Sequence, residues 1–153
     1  MLCGINLKLN LLRRLEVPSK NHGVFMALKT YLESYPDIPD VVYGGDTFTP
    51  PTSGDQKLPF LIVDDVRFDP SRIYHDSSGP NWHTGNLAIG VMIPLYWSAE
   101  QKAQYAGAIA DYFAQDTQMG PVSVSRDPTV NGTGYRDNDM TRIPILVPWE
   151  GFV

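Results

Sequence analysis

The chain has 153 residues, 42% of them hydrophobic and 19% charged, with a formal net charge of −5. That length and balance suit one globular domain with a sizeable core and exclude a disordered chain. The acidic balance argues against general nucleic-acid binding, which depends on Lys and Arg neutralising phosphates. The single cysteine, Cys3, excludes an intrachain disulfide and points to a reducing compartment.

In chain order, residues 1–22 read as an N-terminal arm ahead of a single domain over residues 23–153. Leu2, Ile5, Leu7, Leu9, Leu11 and Leu12 are apolar, but Lys8, Arg13 and Arg14 interrupt them and no small-residue cleavage site follows. The run is too short to cross a bilayer and lacks the layout of a signal peptide, so the arm is expected to pack on its own domain or on a neighbour. Residues 18–23 are a break rich in turn-formers. A helix is expected over 23–35, with Val24, Leu28, Tyr31, Leu32 and Tyr35 on one stripe and Pro36 ending it. A short strand at 41–43 and an irregular loop over 44–57 follow.

Residues 60–68 read as a strand in which Phe60, Ile62, Asp64, Val66 and Phe68 share one face. Asp64 is out of place on that apolar side, and a bulge there would resolve the register. The segment 69–85 is polar and broken by Pro70, Gly79 and Pro80. It concentrates Arg72, Tyr74, His75, Trp82 and His83, a mixture common in contact surfaces. Residues 86–115 organise the chain. Leu87, Ile89, Val91, Ile93, Leu95 and Trp97 alternate with Ala88, Gly90, Met92, Pro94 and Tyr96, which predicts a strand with its odd face in a core. The even face is only weakly polar, so Met92 and Tyr96 are candidates for contact with another layer or another chain.

Ser98 and Gln101 have the spacing of a capping box, and Ala99, Ala103, Ala106, Ile109, Ala110 and Phe113 mark the buried side of the helix it opens. Tyr105 and Tyr112, seven apart on one flank, border the core or meet a neighbouring subunit. A short strand at Val122 and Val124 precedes a Gly/Asn/Asp-rich connection over 127–139. The last strand, 141–149, turns Ile143, Ile145, Val147 and Trp149 inward. Pro144 and Pro148 lack N–H donors, which suggests an edge position or a bulge. Strands joined by loops, with two principal helices, predict the α+β class: a mainly antiparallel sheet with both helices on one face.

Chemistry is harder to find. His75, Asp76 and His83 have none of the tight spacings of structural zinc sites. Asp64 and Asp65, as neighbours on a strand, point to opposite faces unless a bulge intervenes. There is no Gly-x-Ser-x-Gly elbow, and Gly132-Thr133-Gly134 is too short for a phosphate loop. No cofactor, metal or catalytic residue emerges, and a non-enzymatic role is expected. A small metal- or ligand-binding α+β protein using the 75–83 loop is the competing class.

Several segments together resemble the tail terminator family of long-tailed bacteriophages. They are Leu32-Glu33-Ser34-Tyr35-Pro36, Phe48-Thr49-Pro50-Pro51, Pro59-Phe60-Leu61-Ile62-Val63, His83-Thr84-Gly85-Asn86-Leu87, Ala110-Asp111-Tyr112-Phe113 and the run from Arg142 to Trp149, in the family's order over residues 23–149. The resemblance implies a virion subunit, assembled in the bacterial host cytoplasm, that forms a homo-hexameric ring at the head-proximal end of the tail. It would stop tube polymerisation and dock the head–tail connector or stopper protein. Its partners would be itself, the tail tube protein and that connector, with DNA passing through unbound and no membrane involved. Another head–tail joining or tube protein is the alternative within that setting. The family supplies no catalytic residues.

Overall fold

A computed structural model of the chain describes residues 19–69 and 82–153. The arm lies outside the described residues apart from its end, where helix α1 (Lys20–Glu33) begins three residues before the expected start. Ser19 sets that start: its side chain accepts a hydrogen bond from the His22 backbone N–H at 3.1 Å, satisfying one of the helix's free donors.

The strands are β1 (Asp40–Tyr43), β2 (Thr52–Ser53), β3 (Gln56–Lys57), β4 (Phe60–Asp69) and β5 (Trp82–Pro94), followed after the second helix by β6 (Gln118–Met119), β7 (Val122–Val124), β8 (Thr129–Val130), β9 (Tyr135–Asp137) and β10 (Met140–Phe152). β2 and β3 make a separate two-stranded hairpin in the 44–57 loop. The main sheet runs β1-β4-β5-β10-β7-β6, with β8 and β9 also laid against β10. Among the described residues every pairing in it is antiparallel except β1 with β4. The α+β expectation is therefore what the chain adopts.

Helix α2 (Ala99–Tyr112) opens as its spacing predicts. The Gln101 N–H donates to Ser98 Oγ at 3.2 Å, and the Ser98 N–H donates to Gln101 Oε1 at 3.0 Å. The alternation before it overshoots. β5 stops at Pro94, a turn closed by the Trp97 N–H on the Pro94 carbonyl follows, and Leu95 lies exposed. At its other end β5 extends back to Trp82, so part of the presumed 69–85 loop is strand.

The core lies between the sheet and the two helices. Val24, Leu28 and Leu32 of α1 and Ala106, Ile109 and Ala110 of α2 pack on Leu87, Ile89, Val91 and Ile93 of β5 and on Ile143, Ile145, Val147 and Trp149 of β10. Both inward faces are those the period-2 patterns predict. The two helices are tied at their C-terminal ends: Tyr31 and Tyr112 stack at 4.4 Å, and each hydroxyl donates to the other residue's carbonyl, at 2.6 and 2.9 Å.

Two local features need explanation. β4 carries a bulge between Val63 and Asp65, and that extra residue shifts the parity. Leu61 and Val63 before it and Val66 and Phe68 after it thereby share the helix-covered face, and the carboxylates are turned away. The expected grouping of Phe60, Ile62, Val66 and Phe68 on one face is corrected by this bulge. β10, in turn, is an interior strand despite its two prolines. On its far side the ladder is broken into pieces: β9 pairs with Met140–Arg142, β8 with Ile145–Leu146 and β7 with Trp149–Gly151. Pro144 and Pro148 fall in the gaps. Their carbonyls accept from the Asn131 and Ser125 N–H groups, each at 3.0 Å, so the missing donors face junctions where no ladder bond is due.

Candidate interaction surface

The sheet face turned away from the helices is divided. At one end Phe60, Met92 and Met140 form a small second core under Phe48, with Val42 and Ile62 at its margin; the Phe48 and Phe60 rings lie 5.1 Å apart. A hollow of about 260 Å³ remains beside it, lined in part by Pro50, Leu58, Phe60 and Met92. Lys57 pairs with Asp139 at its rim, and the Tyr96 hydroxyl donates to the Lys57 carbonyl at 3.0 Å. Met92 is only 5% exposed, so within one chain it already belongs to a packed cluster. Tyr96 is exposed.

A polar strap crosses the middle of this face. The Arg142 guanidinium pairs with Asp64 in the β4 bulge and, at 3.8 Å, with Asp137 of β9. It lies over Gly90: a Cβ added there would stand 2.9 Å from the guanidinium carbon, so the absent side chain is what admits the strap. The hydrogen bond to Asp64 raises the Arg142 pKa above its ordinary value, against an opposing desolvation effect. The bulge also corrects an expectation about Asp64 and Asp65. By register, Asp65 opposite Ala88 and Asp64 in the bulge both reach the outer face, but Asp64 is engaged by Arg142.

Beyond the strap no described residue covers the face. Trp82 and Phe152, a cross-strand pair at the ends of β5 and β10, meet edge to face with ring centroids 4.8 Å apart. Phe152 is 52% exposed and Leu146 is 40% exposed. Asp65, Arg67 and Asp69 of β4 share this face by register, and Glu150 lies between Leu146 and Phe152 on β10. His83, next to Trp82 in sequence, points the other way and is buried against Phe68, with ring centroids 4.6 Å apart. The loop that suggested grouping them thus sends its residues to different places. Arg72, Tyr74 and His75 lie outside the described residues.

On the helix side, Tyr105 meets Trp97 edge to face at 5.4 Å. An open groove of about 330 Å³ runs beside them, lined also by Gln101, Gln104 and Ala108. Burial, with a smaller contribution from Tyr35, pushes the Tyr105 pKa up to about 12. Tyr112 is held by Tyr31, and its pKa too is raised, mainly by burial. Among the described residues no group of three or more His, Cys, Asp or Glu converges on a possible metal position, and no helix is long and apolar enough to cross a membrane. Sequence reasoning missed Arg142, Phe152 and Leu146. Their roles depend on the β5–β10 register and the bulge, which no local spacing reveals.

Fold and surfaces together define an α+β domain, closed by helices on one sheet face and, among the described residues, partly bare on the other. The chain belongs to the phage tail terminator protein family, whose model matches residues 23–149. It is accordingly a component of the virion tail with a structural role, made to contact other tail or head–tail proteins. No curated protein sequence matches it. Among the solved structures that match, one is similar with a TM-score of 0.51 over 82% of this chain and 86% of the other, at 18% identity. That likeness concerns the fold alone.

Proposed function

We propose that this subunit closes into a homo-hexameric ring on the head-proximal end of the tail tube, stops tube growth there and presents the docking surface for the head connector. The observation that carries the reading is the family match over residues 23–149, joined to a sheet face that one chain leaves half covered. A closed ring needs two different patches on each subunit, one meeting the other on its neighbour. The open outer end, with Trp82, Leu146 and Phe152, is one candidate patch, and the Trp97–Tyr105 groove is another. Aromatic residues are enriched in such contacts. Tyr96 lies at a third exposed position, next to the hollow.

Six copies would bring a formal charge of six times −5, or −30. An acidic body repels phosphate, which suits a passage that DNA must cross without sticking. The test is sizing and negative-stain imaging of the purified protein, alone and with tail tubes. The expected result is six-fold rings, or rings seated on one tube end with tube length fixed. A protein that stays monomeric and leaves tubes growing contradicts the proposal.

A further inference from the structure

One motif of the chain has no part in the surfaces above. Among the asparagines only Asn131 is followed by glycine; the others precede Leu, His, Trp or Asp. Asn131 and Gly132 lie exposed in the turn between β8 and β9, which the Gly134 N–H closes on the Asn131 carbonyl at 3.0 Å. The two glycines of this turn differ. Gly134 has φ +63, and a Cβ there would collide with the Arg142 carbonyl oxygen, so the fold needs glycine at that position. Gly132 has no positive φ, and a Cβ there would meet nothing within 4 Å. Its bareness serves no packing need, but it leaves the backbone nitrogen of 132 open to the side chain of Asn131.

That neighbourhood has a definite chemistry. The Gly132 backbone nitrogen adds to Asn131 Cγ and gives up its proton. A C–N bond forms, the bond from Cγ to the side-chain nitrogen breaks, and ammonia leaves with that proton. The five-membered imide then takes up water at either of its carbonyls. One opening yields aspartate. The other yields isoaspartate, in which the main chain runs through the former side chain and is one carbon longer. No oxidation or reduction occurs, and water is the sole co-reactant. A Cβ on the attacking residue would crowd the ring closure, and glycine removes that obstacle.

The place magnifies the outcome. The Asn131 N–H donates to the Pro144 carbonyl at 3.0 Å, at the end of a β8 that meets β10 only through Val130 with Ile145 and Thr129 with Leu146. A few residues on, Gly134 lies tight against β10 and Tyr135 of β9 pairs with Arg142. An added backbone carbon at 131 must therefore be absorbed between two tethered points, while a carboxylate replaces a neutral amide.

We propose that Asn131 is a self-modifying site: it converts through Gly132 to aspartate and isoaspartate, and the lengthened main chain then frees β8 from β10 beside Leu146. Nothing in this depends on a ring. The test incubates the purified full-length protein at mildly alkaline pH. Peptide mass spectrometry, with an isoaspartate-specific methyl-transfer label, follows every asparagine. Conversion is expected at Asn131 ahead of all the others. Gly132→Ala, which the open space at that position admits, is expected to slow it about tenfold, as a barrier higher by roughly 1.4 kcal/mol would. The converted protein, separated by its added negative charge, is expected to lose exchange protection at the residue 131 amide while the β5 amides keep theirs. Asn131 left intact while a free peptide of residues 128–135 converts overturns the site, and so does Gly132→Ala converting at the wild-type rate. A residue 131 amide as well protected after conversion as before overturns the release of β8.

Discussion

The two faces of the sheet are built on different terms. The helix-covered face is continuous: β5 and β10 each contribute four inward side chains, all 0–2% exposed, and both helices close over them. The other face is a patchwork of a small Met/Phe cluster, an Arg–Asp strap and an aromatic end that no other described residue covers. The difference teaches where folding ends and association can begin. On β5 and β10 the first face has no surface to spare. The second commits only its Phe60–Met92–Met140 end to stability, so its Trp82–Phe152 end is available for contacts without cost to the fold.

Several substitutions sharpen that contrast. The largest effect falls on the closed face. A Cβ at Gly85 would come within 2.0 Å of the Arg67 carbonyl oxygen and 2.4 Å of the Trp149 indole, so Gly85→Ala is expected to cost about 3 kcal/mol or more, read by urea unfolding. Met92→Asp comes next. Burying a carboxylate in the Phe60–Met140 cluster is expected to cost about 3 kcal/mol and to lower the melting temperature of the isolated subunit. A variant that melts like wild type and loses only assembly would return Met92 to the contact surface. Arg142→Ala removes the strap from a half-exposed pair of carboxylates, and about 1 kcal/mol is expected, shrinking as salt is added.

The smallest effect concerns alkaline pH. Tyr105 has its pKa raised from 10.0 to about 12, so the folded state holds its proton more tightly than the unfolded one. That contribution is complete below pH 10 and is lost as pH rises toward 12. Tyr105→Phe should flatten this part of the stability curve, measured by denaturant unfolding at pH 9 and pH 11.

Much of this architecture was legible in the residues because local rules and tertiary packing agree. Ser98 and Gln101 cap α2 as their spacing requires, and the odd positions of β5 and β10 are the buried ones. Legibility failed where the deciding partner is distant in sequence. Pro144 and Pro148 suggest an edge until the segmented β7, β8 and β9 show that their missing donors meet gaps. Asp64 looks misplaced until the bulge and Arg142, 78 positions later in the chain, are in view. The 69–85 segment looks like one contact loop because its composition is uniform, yet β5 begins at Trp82 and alternation sends Trp82 and His83 to opposite faces. The contact surface was the least legible part, since Phe152 and Leu146 matter only through neighbours set by register.

The central claim is that the open end of the outer face serves assembly, while the Phe60–Met92–Met140 end of that face serves the fold. The most direct measurement pairs thermal unfolding with tail-tube capping for Trp82→Ser combined with Phe152→Ser. The account predicts a melting temperature within a few degrees of wild type, since both side chains lie at a strand-end surface, together with loss of rings on tube ends. A variant that still caps tubes as wild type does, or one that unfolds, would contradict it.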